Sequence, residues 1–389
     1  MVLHVFNPEH DIALAYNRPN FTAPRAGRQL RTDLGFLPAI WADDGDVVLV
    51  NDVEVARNAV QQCKAHMANV HFVTHVPADT ITDVSVWGWD RAVCHQLVRA
   101  GVPERLLPTD KQLETIRRLS HRSTAVSLLA QLRSHPQLAH ATVGRSRVCH
   151  SLADIQSALS DWQHIVLKSP WSSSGRGIKY VDGQLSNSQQ GWCANVLHEQ
   201  GSIVAEVFNN KVMDFGMEFF SDGQGHVTYC GLSLFNTVNG AYTGNIVAPE
   251  ADKEAMLATY LPTRLTHSVR TQLEALLSQT IGTAYRGPLG IDMMVVSPEP
   301  CSESTVQSSK LKVQSSKLKA QSSKFKAQSS MFLLNPCVEL NLRRTMGHVA
   351  LSLTRNVLPS SAEVPLHHPA PLLMEITYAN NYQFQLKPY

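Results

Sequence analysis

The chain has 389 residues, of which 43% are hydrophobic and 17% are charged, with a formal net charge of +2. This length predicts two or three domains, and no run approaches the ~18 apolar residues that a membrane helix requires. Seven scattered cysteines without a Cys-x-x-Cys pair argue against a disulfide framework and against a cysteine zinc site. Because strand-like residues begin at once, with no secretion signal, we expect a cytoplasmic protein.

The net positive charge of the chain comes from one low-complexity segment. A tandem seven-residue repeat between residues 306 and 332 carries six lysines, and without them the net charge would be −4. We interpret residues 297–331 as a solvated loop insert, with a lysine-rich binding arm as the alternative. The remaining chain has no basic surface typical of a nucleic-acid groove, so we expect neither a nucleic-acid nor a membrane partner.

Residues 1–115 have the pattern of an open α/β domain. Short apolar strands alternate with helical stretches, at 3–6, 47–50 and 70–73 for the strands and 28–41 and 53–66 for the helices. Ligands of such sheets bind at the carboxyl ends of the strands. The loop after the first strand is dense in polar groups, so His10 and Asp11, with Arg28 further on, are candidates for a substrate site. The alternative is that these residues cap helices and lie on an ordinary surface.

A strand that ends in a charge marks the next candidate site. The apolar strand 165–168 ends in Lys168, and a Ser/Gly-rich segment follows that includes Ser173, Ser174 and Gly175. Small residues let a backbone approach phosphate oxygens closely, and serine hydroxyls add donors. A flexible hairpin tip is the alternative, but a charge at the end of an apolar strand requires a partner.

Two strands predicted at 202–208 and 212–220 carry isolated acids. Glu206, with the backbone at Val207, suits hydrogen bonding to the edge of an adenine, and Asp214 suits a ribose hydroxyl. Each acid on its own is more typical of an ordinary strand end. A long Gly/Asn-rich loop predicted at 235–245 ends in Asn245, a second candidate for substrate contact.

The last candidate site combines two strands separated by the insert. Glu339, Asn341 and Arg343 alternate along one face of a strand whose other face is apolar. Without the 35 residues of the insert, Asp292 and Glu339 are 12 positions apart, which predicts a hairpin. Neighbouring strands lie ~5 Å apart, so these carboxylates and the amide are expected to converge on Mg²⁺ or Mn²⁺. Arg343 suits a phosphate or an oxyanion. The alternative is the polar outer face of a surface strand.

Taken in order, these residues resemble the ATP-grasp superfamily, over about residues 115–350. The superfamily's order of motifs is matched first by a basic residue at the start of a helix (Arg122) and by the Lys168 strand with its Ser/Gly loop. The two hinge acids, Glu206 and Asp214, and the predicted metal-binding strand with Glu339 then follow in the same order. One departure is His121, which stands where members of the superfamily often have an acid.

The resemblance implies a fold that is both α/β and α+β. An open α/β pre-ATP-grasp domain (1–115) would precede a two-lobed ATP-grasp domain with antiparallel sheets. The small lobe would span 116–200 and the large lobe 201–358, which contains the insert, followed by a C-terminal tail at 359–389.

The resemblance also implies an ADP-forming ligase that uses ATP and Mg²⁺ (or Mn²⁺). Such enzymes activate a carboxylate as an acylphosphate for attack by an amine, so the implied partners are small-molecule carboxylates and amines. A kinase and a non-catalytic nucleotide-binding protein are the alternatives. The implied residues are Arg122, Lys168, Ser173, Ser174, Gly175, Glu206, Val207 and Asp214 for ATP; Asp292, Glu339 and Asn341 for metal; and Lys168 and Arg343 for catalysis. The acceptor candidates, which come from the residue pattern and not from the resemblance, are His10, Asp11, Arg28 and Asn245.

Overall fold

The computed structural model describes residues 1–63, 65, 67–172, 177–238, 241–298, 332–357 and 370–389. The insert and the start of the C-terminal tail lie almost wholly outside these ranges, as do Ser173, Ser174 and Gly175. Three sheets organise the described residues. No helix among them combines the length and the apolar character needed to cross a membrane.

The first sheet is parallel and lies near the N-terminus. Its strand order is β3-β2-β1-β4, with β1 (Val2–Val5), β2 (Val47–Leu49), β3 (His71–Val73) and β4 (Asp83–Val86). Its central strands are mostly apolar because helices and the large sheet cover both faces. The accompanying helices are α1 (His10–Tyr16), α2 (Arg25–Asp33), α3 (Val53–Gln62), α4 (Arg91–Arg99) and α5 (Asp110–Leu119).

Two details of this region differ from the sequence prediction. The three predicted strands are confirmed, but β4 was not predicted. The helix predicted over 28–41 is wrong in extent, because α2 ends at Asp33 and a short 3₁₀ helix, Leu37–Ile40, follows. Gly35 and Pro38 fall in this interval, and both residue types disfavour the interior of an α-helix.

The second sheet is antiparallel and forms a small lobe. Its order is β5-β8-β6-β7, with β5 (Ser146–Cys149), β6 (His164–Lys168), β7 (Ile178–Asp182) and β8 (Ile203–Val207). The helices that share its core are α7 (Leu152–Trp162) and α8 (Asn187–Gln200). The preceding helix, α6 (Ser123–Ser134), buries its apolar residues in the core of the large sheet instead. Capping boxes begin α7 at Ser151 and α8 at Ser186, which satisfies the first free backbone donors of each helix.

The third sheet has seven strands in the order β13-β12-β9-β10-β11-β14-β15. They are β9 (Lys211–Asp222), β10 (Val227–Val238), β11 (Ala241–Val247), β12 (Arg286–Val296), β13 (Leu333–Asn341), β14 (Leu372–Tyr378) and β15 (Tyr382–Pro388). Its helices are α9 (Glu250–Leu257), α10 (Thr263–Thr280) and α11 (Met346–Val357).

Alternation along β9 separates the core from the functional face of this sheet. Phe215, Met217 and Phe219 are buried in the main hydrophobic core with the apolar side of α10. Glu218 points to the opposite face, where it meets Gly347 at the start of α11. The polar chemistry of the sheet therefore lies on the face that α11 covers.

The large sheet contradicts one sequence prediction and confirms another. The long loop predicted at 235–245 is wrong, because β10 and β11 pair through this segment with Phe235 opposite Asn245. The strand predicted at 372–378 is confirmed as β14, and it joins the sheet beside β11. The pairing of β14 with β15 was not predicted.

Candidate active site

The β12–β13 hairpin forms the centre of the candidate site. Its register places Asp292 opposite Glu339 and Gly290 opposite Asn341. The Asn341 amide Nδ2 donates to Asp292 Oδ2 over 3.1 Å. The predicted pairing of these two strands is therefore confirmed, and it brings two carboxylates and an amide oxygen to one place.

The electrostatics of the hairpin favour a cation. Burial, followed by the nearby carboxylates of Glu339 and Glu218, raises the pKa of Asp292. A bound cation would relieve this repulsion. Within the described ranges, no group of three or more His, Cys, Asp or Glu side chains is arranged to hold a metal. Two carboxylates and an amide instead match a Mg²⁺ ion whose remaining ligands are phosphate oxygens and water.

Arg122 joins the small lobe to this hairpin. It precedes the first residue of α6, and its Nη2 lies 2.9 Å from Glu339 Oε1. Its Nε donates to the carbonyl of Ser169 over 2.9 Å. The side chain is 7% exposed, and among the described residues its Nη1 has no hydrogen-bond partner. Arg122 thus presents an unused donor beside the carboxylates.

Lys168 and Glu206 form a second ion pair. They lie on the neighbouring antiparallel strands β6 and β8, and Lys168 Nζ is 2.6 Å from Glu206 Oε2. Their side chains are 7% and 17% exposed, so the pair is largely shielded from water. Glu206 is therefore the partner that the buried lysine requires.

A small cavity connects the N-terminal region with these groups. Its lining includes His10 and Asp11 from α1, Arg122, and Glu339 and Asn341 from β13. Two of the four predicted acceptor residues therefore share a cavity with the predicted metal ligands. This arrangement brings the carboxyl edge of the parallel sheet to the candidate phosphate site.

The other two acceptor candidates have different surroundings. Arg28 donates through Nη1 to the carbonyl of Ala23 over 2.7 Å and does not line the cavity. Asn245 is 1% exposed and donates to Ser233 Oγ over 2.7 Å. The structure therefore does not bring Arg28 and Asn245 together with His10 and Asp11.

The predicted nucleotide residues of the hinge are engaged within the protein. Asp214 pairs with Lys211 and accepts from Thr237 Oγ1 over 2.7 Å. The Val207 N–H donates to the carbonyl of Arg145, and its carbonyl accepts from Asn209. A nucleotide at the hinge would have to compete with these contacts.

Sequence reasoning did not identify Glu218 as a site residue. Its side chain lies on the same face of the large sheet as Asp292. Its side chain is 3% exposed, and Oε2 is 3.0 Å from His348 Nδ1. A Cβ on Gly290 would lie 2.5 Å from Oε2, and a Cβ on Gly347 would overlap Oε1, so both glycines make room for this carboxylate. The available signal was an acid inside the apolar run 215–220.

Sequence reasoning also did not identify Asp90 as a site residue. It lies after β4, which was not predicted, and it is the N-cap of α4, where its side chain accepts from the Val93 N–H. An aspartate at the start of a helix is a capping signal. Asp90 Oδ2 also lies 3.1 Å from His10 Nδ1, and nothing in the sequence predicts that contact.

Comparison with known proteins supports the fold assignment. The sequence matches no protein-family model and no curated protein. N5-carboxyaminoimidazole synthetase from Staphylococcus aureus, complexed with ADP, has a similar structure with a TM-score of 0.50 and 12% identity, covering 97% of this chain and 82% of that chain.

Two further structures are similar at lower TM-scores. The biotin carboxylase domain of the Hydrogenobacter thermophilus 2-oxoglutarate carboxylase has a TM-score of 0.47 and 10% identity, over 85% of this chain and 69% of that chain. L-amino acid ligase from Bacillus licheniformis has a TM-score of 0.44 and 12% identity, over 97% and 81%.

The mixed architecture, a parallel sheet followed by antiparallel sheets, is that of the ATP-grasp fold. The likeness to the Staphylococcus aureus enzyme extends over nearly the whole chain. The chain therefore has the ATP-grasp fold that its motifs predicted.

Proposed function

We propose that this protein is an ATP- and Mg²⁺-dependent ligase that forms an acylphosphate from a carboxylate and transfers the acyl group to an amine. The observation that supports this most is the register of the hairpin, which places Asp292 opposite Glu339 beside Arg122. The similar Staphylococcus aureus enzyme was solved with ADP, and its name describes a synthetase. ADP and phosphate would be the other products.

The cationic side chains of the site are suited to the phosphates of ATP. Lys168 and Arg122 are each paired with a carboxylate, and Arg122 keeps Nη1 without a protein partner in the described chain. Both are held by short contacts, so they are oriented before a ligand arrives. Glu206, Val207 and Asp214 would then contact the adenine and ribose, in place of their present partners.

Asp292, Glu339 and Asn341 would hold Mg²⁺. The ion, when bound, neutralises charge on the transferring phosphoryl group and orients it. Glu339 would exchange Arg122 for the metal, which would free the guanidinium for a phosphate oxygen. The same exchange would reduce the repulsion that raises the pKa of Asp292.

The acceptor would occupy the cavity between α1 and β13. Arg343 follows β13 and would stabilise negative charge on the reacting carboxyl group. His10 and Asp11 line this cavity, so they remain in the proposed acceptor site. Arg28 and Asn245 are left out of it, because their contacts lie elsewhere.

An ADP-release screen tests the proposal. Mg·ATP would be incubated with pooled carboxylates, with pooled amines and with both, and the products of any active pool identified by mass spectrometry. We expect rapid ADP release only when both pools are present. Release with a single co-substrate would indicate a kinase, and failure to bind Mg·ATP at all would refute the proposal.

A further inference from the structure

We propose that His10 and Asp90 form a dyad whose imidazole takes the proton from the attacking nucleophile. This inference rests on the proposed ligase function and deepens it. It assigns to the acceptor site a general base that the sequence analysis did not identify. It also implies a nucleophile that arrives protonated, such as an alkyl ammonium.

The two side chains meet at the ligand-binding edge of the parallel sheet. His10 is the first residue of α1, which follows β1, and Asp90 precedes α4, which follows β4. Strands β1 and β4 are parallel neighbours, so the segments after them emerge side by side. This edge is where open α/β sheets bind their ligands.

The contacts of Asp90 determine which imidazole nitrogen carries the proton. Asp90 Oδ2 lies 3.1 Å from His10 Nδ1, and an ionised carboxylate can only accept. Nδ1 therefore carries the hydrogen, and Nε2 of the neutral ring presents a lone pair. Asp90 is itself held by Asn7 Nδ2 at 3.1 Å and, through Oδ1, by the Val93 N–H at 2.8 Å.

The imidazole ring is closely packed, and His10 lines the candidate acceptor cavity. The side chains of His10 and Asp90 are 1% and 3% exposed. A Cβ on Gly88 would lie 2.5 Å from the imidazole Cγ and Cδ2, so the ring packs directly on this glycine. Among the described residues, His10 makes a side-chain hydrogen bond through Nδ1. His10 also lines the cavity to which Glu339 contributes.

A purely structural role would use the imidazole differently. A histidine that only packs α1 onto the sheet would not need to line a cavity together with Arg122 and Glu339. The arrangement instead has a fixed carboxylate and an oriented imidazole on a residue that lines the candidate acceptor cavity.

The proposed step is an acyl transfer in which two protons leave the nitrogen. The ammonium nitrogen loses a proton to His10 Nε2, and the freed amine attacks the acylphosphate carbon. The carbon–nitrogen bond forms as the carbon–oxygen bond to phosphate breaks, and the phosphate leaves with the electron pair. After the amide nitrogen loses its second proton to the departing phosphate, the proton on His10 returns to solvent.

The tautomer can be tested without any substrate. The full-length protein, labelled with ¹⁵N in its histidine rings, would be examined by long-range ¹H–¹⁵N correlation, and His10 assigned from the signal lost in His10→Gln. We expect the neutral ring to carry its hydrogen on Nδ1 and not on Nε2. The opposite tautomer would overturn the proposal, whatever the protein catalyses.

Two nucleophiles then separate base catalysis from binding. Hydroxylamine is largely unprotonated at neutral pH, whereas α-amino and alkyl amino groups are mostly protonated. With Mg·ATP and the twenty amino acids as the carboxylate and amine pool, His10→Gln is expected to reduce amide formation by about 100-fold or more. Hydroxamate formation should fall by less than tenfold.

The controls distinguish the possible failures. Asp90→Asn retains an N-cap for α4 and should reproduce the selective loss of amide formation, with a changed tautomer. His140→Gln, at an exposed position, should change neither rate. Equal losses of amide and hydroxamate, or no loss, would overturn the dyad. Absence of hydroxamate from the unmodified protein with every carboxylate pool of the ADP-release screen would instead refute the proposed ligase function.

Discussion

Asp11 holds the guanidinium of Arg343 through both carboxylate oxygens. Arg343 Nη2 lies 2.8 Å from Oδ2, and Nε lies 3.0 Å from Oδ1. The side chains are only 19% and 13% exposed, and the residues are 332 positions apart in sequence. The pair therefore connects the first helix of the N-terminal region to the end of β13.

Asp11→Asn should destabilise the protein in a pH-dependent manner. Burial opposes ionisation, but the guanidinium of Arg343 outweighs it and lowers the pKa of Asp11 below its ordinary 3.8. The ion pair therefore stabilises the fold above about pH 4, and this contribution is lost as the pH falls further. At pH 7 we expect a loss of about 3 kcal/mol in the free energy of unfolding.

Urea unfolding from pH 7 to pH 3 measures this effect. The difference between the unmodified protein and Asp11→Asn should shrink as the pH drops below 4. A difference that is constant across this range would show that the charge of Asp11 is not what stabilises the contact.

Lys168→Ala should abolish nucleotide-dependent turnover, because it removes the cation expected to contact the phosphates. It also leaves Glu206 without its partner at 2.6 Å, which adds a repelling charge near ATP. We expect ADP release to fall by about 100-fold or more. Calorimetry would measure the nucleotide affinity of the variant in parallel. Lys111→Ala, an exposed position on α5, is the matched control. Retained turnover would remove Lys168 from the site.

Glu339→Gln should weaken divalent metal binding. The amide keeps the shape of the side chain but removes a charge opposite Asp292. We expect the affinity for Mn²⁺, measured by electron paramagnetic resonance with bound nucleotide, to fall at least about tenfold, or ~1.4 kcal/mol. Glu104→Gln on an exposed 3₁₀ helix controls for general charge effects. An unchanged Mn²⁺ affinity would contradict the assignment of Glu339 as a ligand.

His121 should contribute to unfolding in mild acid. Burial, followed by the charge of Arg117, lowers the pKa of His121 from 6.5 to about 4. Its Nδ1 accepts from the Ser123 N–H at 3.0 Å, and Nε2 is 3.1 Å from Ser202 Oγ, which suits the neutral ring.

Because the unfolded chain binds this proton more readily, stability should decline as the pH falls from 6.5 toward 4. The free energy of unfolding should fall less steeply over this range in His121→Gln. Identical slopes for the two proteins would show that His121 does not contribute to the acid sensitivity.

Local sequence pattern was sufficient to predict much of the β12–β13 hairpin. Side chains alternate along a strand with a period of two, so the sequence alone placed Glu339 and Asn341 on one face of β13. Once the repeat was recognised as an insert, the spacing to Asp292 predicted the pairing that the register confirms. The same pattern failed at 235–245, where glycine and asparagine suggested a loop but the strands continue through the hairpin.

What the sequence by itself determined is most of the strands that carry the candidate site, with the polar groups on their faces, since period and turn chemistry are local properties. Only the tertiary structure decided that Asp11 meets Arg343, that Glu218 lies near Asp292, and that Asp90 orients His10. These contacts join segments on different strands and helices. They depend on sheet order and on how the sheets pack together, which no local periodicity encodes.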